Sequence, residues 1–173
     1  PLKRKVVAEF LVREGAVSAG DAQLIAALSE GSVGRGLHII EADIMEERET
    51  LLGLMESAPE PGLWAQTLDW ADKYARPQQR DRLPLLFHLL RTWQRDVLLS
   101  LSGADHQHWV HSDRIHKIEA AAQRTNVAQC FDALSRINYA ETAIFERMGN
   151  ARLVLESMLV AMRHQPLRGQ HAP

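Results

Sequence analysis

Four histidines crowd one short segment of the chain, and imidazole nitrogens are common ligands of zinc, copper and nickel. The polar side chains of this segment are those of His106, His108, His111, His116, Asp105 and Asp113. Their spacing lacks the His-Glu-x-x-His arrangement that places two ligands one helical turn apart with a base between them. The pattern therefore favours a solvated polar loop. A helical module that senses a ligand or a metal stays as the alternative function.

Two other catalytic patterns are absent from the sequence. There is no Gly-x-x-x-x-Gly-Lys-Ser/Thr loop to bind a triphosphate, and no Gly-x-Ser-x-Gly turn to expose a nucleophile. Carboxylates such as Glu46, Glu47 and Glu49 fall on a charged helical surface, where nothing separates the pKa of one from that of its neighbours. We expect this chain to have no enzymatic activity of its own and to bind no cofactor.

Composition restricts the class of protein further. A chain of 173 residues that is 46% hydrophobic and 24% charged can form a sizeable core. A formal net charge of −2 gives no general attraction to nucleic acid. The single cysteine, Cys130, excludes an internal disulfide, and no apolar run approaches the roughly 20 residues of a membrane span. These features predict a cytoplasmic protein that does not enter a membrane.

Apolar residues recur at helical spacing along most of the chain, and no segment alternates with the period of two that is typical of strands. The predicted fold class is therefore all-α. A break is expected at 43–48, a loop at 59–62, and a central buried helix from about Pro84 to Gly103. The residues 165–173 show no apolar periodicity and are expected to form a flexible tail.

The segment 28–37 joins two of these helices through a tight turn. Gly31 can adopt the left-handed conformation that ends a helix, and Ser32 can accept a backbone N–H as the N-cap of the next helix. Gly34 and Arg35 follow in the first turn of that helix. Local chemistry alone predicts a helix-turn-helix here.

This turn resembles the helical lid domain of clamp-loader subunits of the AAA+ class. In that family an apolar run is followed by Gly-Ser, an apolar residue and an arginine, and Gly34 stands in the arginine position of this chain. Arg35 comes one residue later, about 100° further around the helix. Because glycine offers no donor to a nucleotide phosphate, the resemblance implies a non-hydrolysing subunit of the delta-prime type.

Two further segments resemble the collar domain of the same subunits. The segment 150–163 is similar to the closing collar helix, and the segment 93–99 to an earlier collar helix with an Arg-Asp pair. The resemblance implies a lid-type domain at residues 1–45 and a collar, or oligomerisation, domain at 46–173. It also implies that the partner interface includes Trp93, Arg95, Asp96, Asn150, Arg152 and Glu156.

The resemblance implies that the chain functions in the assembly of a multi-subunit complex. The chain would be a non-catalytic subunit of the bacterial DNA polymerase III clamp loader, whose collar joins subunits into a ring that loads the sliding clamp in DNA replication. Its partners would be tau/gamma-type and delta-type subunits, with the sliding clamp and DNA contacted only through the complex. DNA synthesis itself would belong to the holoenzyme, a nucleotidyltransferase, of which the loader is a part.

Overall fold

The computed structural model describes residues 1–14, 17–56 and 61–163, with side chains for all of these except 61–63. Within these ranges the regular structure is helical and contains no strand, so the all-α prediction is confirmed. The α-helices are α1 (Arg4–Glu14), α2 (Ala19–Leu28), α3 (Val33–Glu41), α4 (Met45–Glu56), α5 (Pro61–Ala75), α6 (Leu83–Leu101), α7 (Ile115–Gln123), α8 (Val127–Phe145) and α9 (Ala151–Arg163). Short 3₁₀ turns at Pro77–Arg82, His106–His108 and Ser112–Arg114 connect some of them.

Capping residues explain where the first helices begin. The Ser18 hydroxyl accepts from the Asp21 N–H at 3.1 Å, and the Ser32 hydroxyl accepts from the Arg35 N–H at 3.2 Å. Gly31 has a φ of +84°, and a Cβ there would lie 2.5 Å from the carbonyl oxygen of Leu2. The turn therefore requires glycine at this position, and the predicted helix-turn-helix is confirmed.

The predicted break at 43–48 is also confirmed, because α3 ends at Glu41 and α4 begins at Met45. Arg82 stabilises this corner by donating to the carbonyl oxygen of Ala42 and, at 2.6 Å, to Oε1 of Glu47. One cluster of buried side chains continues across the break, with members on α1, α2 and α3 as well as on α4, α5, α6, α8 and α9. The division into domains at residue 45 stays a prediction.

The central helix of the bundle is α6, as predicted. Pro84 lies in its first turn, and Gly103, with a φ of +71°, follows its end. This helix packs against α4, α7 and α8, while α9 packs against α5 and α8. Asn126 and Gln129 form a reciprocal capping box at the start of α8.

Two local predictions need correction. The helical spacing of residues 63–75 predicts that Leu68 faces inward, but Leu68 is 40% exposed, and Thr67, Trp70 and Tyr74 are buried instead. Because serine is a common N-cap, the sequence predicts that Ser112 caps a helix at 113–125, but α7 begins at Ile115 after a 3₁₀ turn. Of the loop expected at 59–62, residues 61–62 are helical and begin α5, and residues 59–60 lie outside the described residues, as does the tail expected at 165–173.

Candidate functional site

The histidine-rich segment packs into the core with one end buried. Trp109, Val110 and His111 are at most 2% exposed, whereas His106 and His108 remain on the surface. Arg4 of α1 donates to the carbonyl oxygen of Trp109 at 3.0 Å. The segment is therefore held between α1 and the rest of the bundle.

Asp96 of α6 is fully buried, and its carboxylate holds this segment in place through hydrogen bonds to the backbone of the segment. Its Oδ2 accepts from the N–H groups of Val110 at 2.8 Å and His111 at 2.7 Å. Burial raises the pKa of the Asp96 carboxyl, and the two backbone hydrogen bonds oppose that rise. The carboxylate thus satisfies two backbone donors that the core would otherwise leave unpaired.

His111 is a buried neutral imidazole with both ring nitrogens occupied. Its Nδ1 lies 3.0 Å from Nη2 of Arg48, and its Nε2 lies 3.0 Å from Oγ1 of Thr92. Because a guanidinium can only donate, Nδ1 must be the acceptor and Nε2 carries the proton. Burial, reinforced by the Arg48 charge, lowers the pKa of His111 to about 3. This side chain has no lone pair left for a metal ion.

The remaining polar side chains of the segment do not form a metal site. His106 Nε2 and His116 Nδ1 each lie 3.4 Å from a carboxylate oxygen of Glu119, on the surface. In the part of the chain that the structure describes, no group of three histidine, cysteine or acidic side chains is placed to hold an ion. Cys130 is buried, and burial raises the pKa of its thiol. Nothing in this geometry favours the metal-sensing alternative.

Two of the residues proposed for the partner interface lie inside the molecule. Trp93 is 2% exposed and Asp96 is fully buried, so neither side chain presents a surface in this fold. The resemblance to a collar helix implied an interface at these residues, but the Asp96 carboxylate accepts from the chain's own backbone N–H groups. Arg95, with a side chain 46% exposed, remains at the surface beside it.

The other proposed interface residues lie at the start of α9. The side-chain oxygen of Asn150 accepts from the Leu153 N–H at 3.2 Å, which caps the helix. Arg152 pairs with Glu156 at 2.8 Å and with Asp72 of α5 at 3.3 Å. These charges tie α9 to α5 and lie along the edge of an exposed surface.

Exposed apolar side chains cover the neighbouring surface of α8 and α9, and the sequence analysis did not single them out. Val127, Phe131 and Tyr139 of α8 are 52%, 59% and 63% exposed, and Leu153 of α9 is 61% exposed. A groove of about 540 Å³ lies between the two helices. We call this region the α8–α9 surface; its side chains are Val127, Phe131, Asp132, Ser135, Arg136, Tyr139, Leu153 and Val154.

The spacing of the apolar residues along α8 already indicates this exposed surface. Phe131, Ser135 and Tyr139 repeat every four residues, on the side of the helix opposite the buried Ala133 and Ile137. A helix that is apolar on both sides is expected to be buried on both sides. The large aromatic side chains left in water on this side make it a candidate surface for association.

The lid-type turn places Gly34 in the open. Apart from its chain neighbours and the backbone of its own helix, no atom of the described residues lies within 4 Å of the position that its Cβ would take. Arg35 turns back to pair with Glu30 at 2.6 Å, and its side chain is 44% exposed. The Glu30 carboxylate partly neutralises the Arg35 charge, although the exposed guanidinium keeps further N–H donors.

Comparisons with known proteins identify the family. The family model described as DNA polymerase III, delta subunit, C terminal matches residues 66–164, which include the whole of α6 to α9. Neither the curated proteins nor the solved structures contain a match. No helix in the described ranges is long and apolar enough to cross a bilayer. Because the matched region is more than half of the 173 residues, the chain belongs to the family of C-terminal domains of the DNA polymerase III delta subunit, which are non-catalytic components of the clamp loader.

Proposed function

We propose that this chain is a delta-prime-type subunit that uses its helical collar to join tau/gamma-type and delta-type subunits in the ring that loads the sliding clamp. The family match over residues 66–164, which is to the C-terminal domain of the delta subunit, carries the clamp-loader part of this proposal, and the turn at Gly34 supports the delta-prime part. The chain itself turns over no ATP, acts in the cytoplasm, and meets the sliding clamp and DNA only through the complex. Residues 1–45 serve as its lid-type domain and residues 46–173 as its collar.

The turn at Gly34 supports the delta-prime type over an ATP-hydrolysing type. An arginine at this position would supply charge-assisted donors to phosphate oxygens, and glycine supplies none. The neighbouring Arg35 is engaged by Glu30 at 2.6 Å. Loss of the arginine removes nucleotide sensing from the lid without disturbing the fold, since the Gly34 position is open.

The α8–α9 surface supports a function in association. Phe131, Tyr139 and Leu153 are each about 60% exposed and lie in the matched region. Apolar side chains of this kind supply most of the binding energy at a protein interface, and a charged rim selects the partner. In our proposal the rim consists of Asn150, Arg152 and Glu156 at the start of α9, and Arg95, beside the His108 carbonyl oxygen, contacts a partner at a separate position.

Mixing experiments test the assembly. The chain is combined with purified tau/gamma-type and delta-type subunits, and the mixture is separated on a sizing column at micromolar concentration. We expect one complex that contains all three kinds of subunit. Independent elution of every component would overturn the proposal.

The same mixtures separate the delta-prime type from the delta type. A delta-prime-type chain joins a complex that already contains the delta-type subunit. A chain that enters the complex only when the delta-type subunit is left out, and is displaced when that subunit is added, takes the place of delta instead. That result would refute the delta-prime assignment and leave the clamp-loader family intact.

Two leucine substitutions, one on α9 and one on α5, test whether the α8–α9 surface takes part in assembly. Leu153→Ser removes an apolar side chain from the α8–α9 surface, and Leu68→Ser removes an exposed leucine from α5 as a matched control. We expect the first variant to weaken assembly by about tenfold, which corresponds to the loss of one well-packed apolar contact. Equal assembly of both variants would place the interface elsewhere.

A further inference from the structure

We propose that the cleft between α1 and α2, together with the neighbouring side chains of Arg4 and Arg95, binds an acidic segment of a partner protein. A carboxylate of that segment bridges the two guanidinium groups, and an apolar side chain beside it enters the cleft. This inference goes beyond the proposed function, because most of the cleft is formed by residues outside the matched region 66–164. Its occupant is defined by chemistry and not by membership of the ring.

The guanidinium groups of Arg4 and Arg95 lie side by side where α1 meets the histidine-rich segment. Arg4 Nη2 donates to the carbonyl oxygen of His108 at 3.4 Å, and Arg95 Nη1 donates to the same oxygen at 3.3 Å. Arg4 Nη1 also donates to the carbonyl oxygen of Trp109 at 3.0 Å. The fold therefore holds both side chains in place before a partner arrives, which lowers the entropy cost of binding.

The positive charges of this arginine pair are not matched at the surface. Among the described residues, Arg4 contacts backbone carbonyl oxygens and forms no ion pair. Arg95 lies 3.3 Å from Asp96, but that carboxylate is fully buried and already accepts from the N–H groups of Val110 and His111. Carbonyl oxygens satisfy the donors without cancelling the net charge. A carboxylate from outside would supply both the charge and strong, charge-assisted hydrogen bonds.

The start of α1 adds to this positive charge. Lys3 and Lys5 flank Arg4, and the first turn of the helix contains no acidic residue. Glu9 lines the cleft, and its Oε1 lies 4.0 Å from Nζ of Lys5. This exposed pair accounts for one lysine and leaves Arg4 unmatched. Charge complementarity therefore indicates an anionic occupant.

A cleft of about 590 Å³ continues from this basic end between the two helices. Ala8 and Val12 line it on α1, and Ala19 and Ala27 line it on α2. Val12 is 44% exposed, so its side chain is available to a partner. A cleft of this size with a largely apolar lining and a few charged groups at one end accepts apolar side chains and orients them by their polar neighbours.

The apolar lining distinguishes between two kinds of anionic partner. A nucleic-acid backbone would meet the arginine pair with its phosphates but has no aliphatic side chain for the cleft. The formal net charge of −2 also gives the chain no general attraction to nucleic acid. A protein segment can place a carboxylate on the arginine pair and an apolar side chain in the cleft at the same time.

Selection from a library of random peptides displayed on phage tests the proposal. Phage that bind the Arg4→Gln variant are removed first, and the remainder are selected on the unchanged chain. We expect the retained peptides to combine acidic residues with an apolar residue. No retained peptide, or retained peptides without acidic residues, would overturn the proposal. Because no sister subunit takes part, either result leaves the proposed function untouched.

Two further variants test where a retained peptide binds. Val12→Asp places a carboxylate in the cleft at an exposed position, and Arg95→Gln removes the second guanidinium charge. We expect each variant to raise the dissociation constant of the labelled peptide at least about tenfold, measured by fluorescence anisotropy. We also expect high salt to weaken binding to the unchanged chain. A dissociation constant that stays the same in either variant would overturn the proposal.

The matched control is Arg13→Gln, which removes an exposed arginine of α1 that does not line the cleft. We expect this variant to bind the peptide as tightly as the unchanged chain does. The urea midpoint of each variant verifies its fold, and Val12→Asp replaces Arg4→Gln in the selection if the latter is unfolded. Oligothymidine that binds more tightly than the peptide, and loses that binding in Arg95→Gln, would assign the site to a phosphate backbone and refute the proposal.

Discussion

Two regions of this molecule reverse the usual distribution of polar and apolar residues. The polar segment 105–111 runs into the core and ends in a fully buried histidine, whereas α8 leaves Phe131 and Tyr139 about 60% exposed. The polar segment is stable inside because Asp96, Arg48 and Thr92 satisfy its donors and acceptors. The apolar residues outside have no such compensation within the described chain.

The two regions therefore have different roles: the buried polar segment specifies how the helices pack, and the exposed apolar surface of α8 is available to bind another protein. Buried polar groups with complete hydrogen bonding specify one packing of the helices, since any alternative leaves a donor unpaired. Exposed aromatic side chains contribute little to that packing and much to a contact with another protein. Substitutions in the first region are therefore expected to change stability, and substitutions in the second to change binding.

The largest effect expected within the two compared regions is on stability, from Asp96→Ala. The substitution leaves the N–H groups of Val110 and His111 unpaired in the core. We expect the free energy of unfolding to fall by about 2–4 kcal/mol, which is the cost of leaving two buried donors without acceptors. Urea unfolding followed by circular dichroism measures this change.

Two variants serve as controls for that measurement. Asp96→Asn keeps one acceptor oxygen at the same place, and we expect it to lose less stability than the alanine variant. Asp132→Ala removes an exposed carboxylate and is expected to cost under about 1 kcal/mol. If Asp96→Ala costs no more than Asp132→Ala, the buried carboxylate does not hold the segment.

The second effect is a dependence on pH through His111. This side chain is neutral in the fold, with a pKa of about 3, and its ordinary value is 6.5. Below about pH 6.5 the unfolded chain takes up a proton that the folded chain refuses, so stability is lost as the pH falls towards 3. For this one group the loss approaches about 1.4 kcal/mol per pH unit.

His111→Gln tests this assignment, because the amide can accept from Arg48 and donate to Thr92 without titrating. We expect its stability to depend less on pH between about pH 6.5 and pH 5 than that of the unchanged chain. Urea midpoints at several pH values give both slopes. Parallel slopes would show that His111 is already free to take up a proton in the fold.

A smaller effect is expected from Arg152→Ala. Its guanidinium pairs with Glu156 and Asp72, but the side chain is 56% exposed. Exposed ion pairs of this kind contribute little to stability and are screened by salt. We expect a small fall in the thermal midpoint at low ionic strength, and a still smaller fall in high salt. A fall as large as that of Asp96→Ala, unchanged by salt, would mean that this charge belongs to the core network.

The smallest effect on stability is expected from Phe131→Ala, because the side chain is 59% exposed. The free energy of unfolding should change by less than about 0.5 kcal/mol. The matched substitution Phe87→Ala, at a fully buried position of α6, should cost about 3–5 kcal/mol. Similar losses at the two positions would contradict the assignment of the α8–α9 surface to association.

Local signals in the sequence were enough to predict the elements. Ser32 and Asn126 cap helices because the donors they satisfy lie three residues away. Long-range pairing was not predictable in the same way. His111 is buried because Arg48, 63 residues earlier, and Thr92 meet it in the folded chain. No spacing in the sequence indicates these long-range contacts, so the histidine-rich segment was expected to be a solvated loop.

The faces of the helices were predictable only in part. Leu68 follows the apolar pattern of α5 and still lies outside, because Trp70 and Tyr74 fill the core on that helix. Trp93 and Asp96 were expected at an interface because segment 93–99 resembles a collar helix, and their burial depends on the segment that packs over them. Residue type identified side chains that would be buried in some contact. Whether that contact lies in the chain's own core or with a partner depends on the tertiary packing.

Hydrogen exchange, measured by mass spectrometry with and without a tau/gamma-type subunit, tests most directly whether the function lies in the exposed region. The account predicts slower exchange on α8 and α9, around Phe131, Tyr139 and Leu153, with the segment 105–111 protected equally in both states. Protection that appears elsewhere and leaves α8 and α9 unchanged would contradict it.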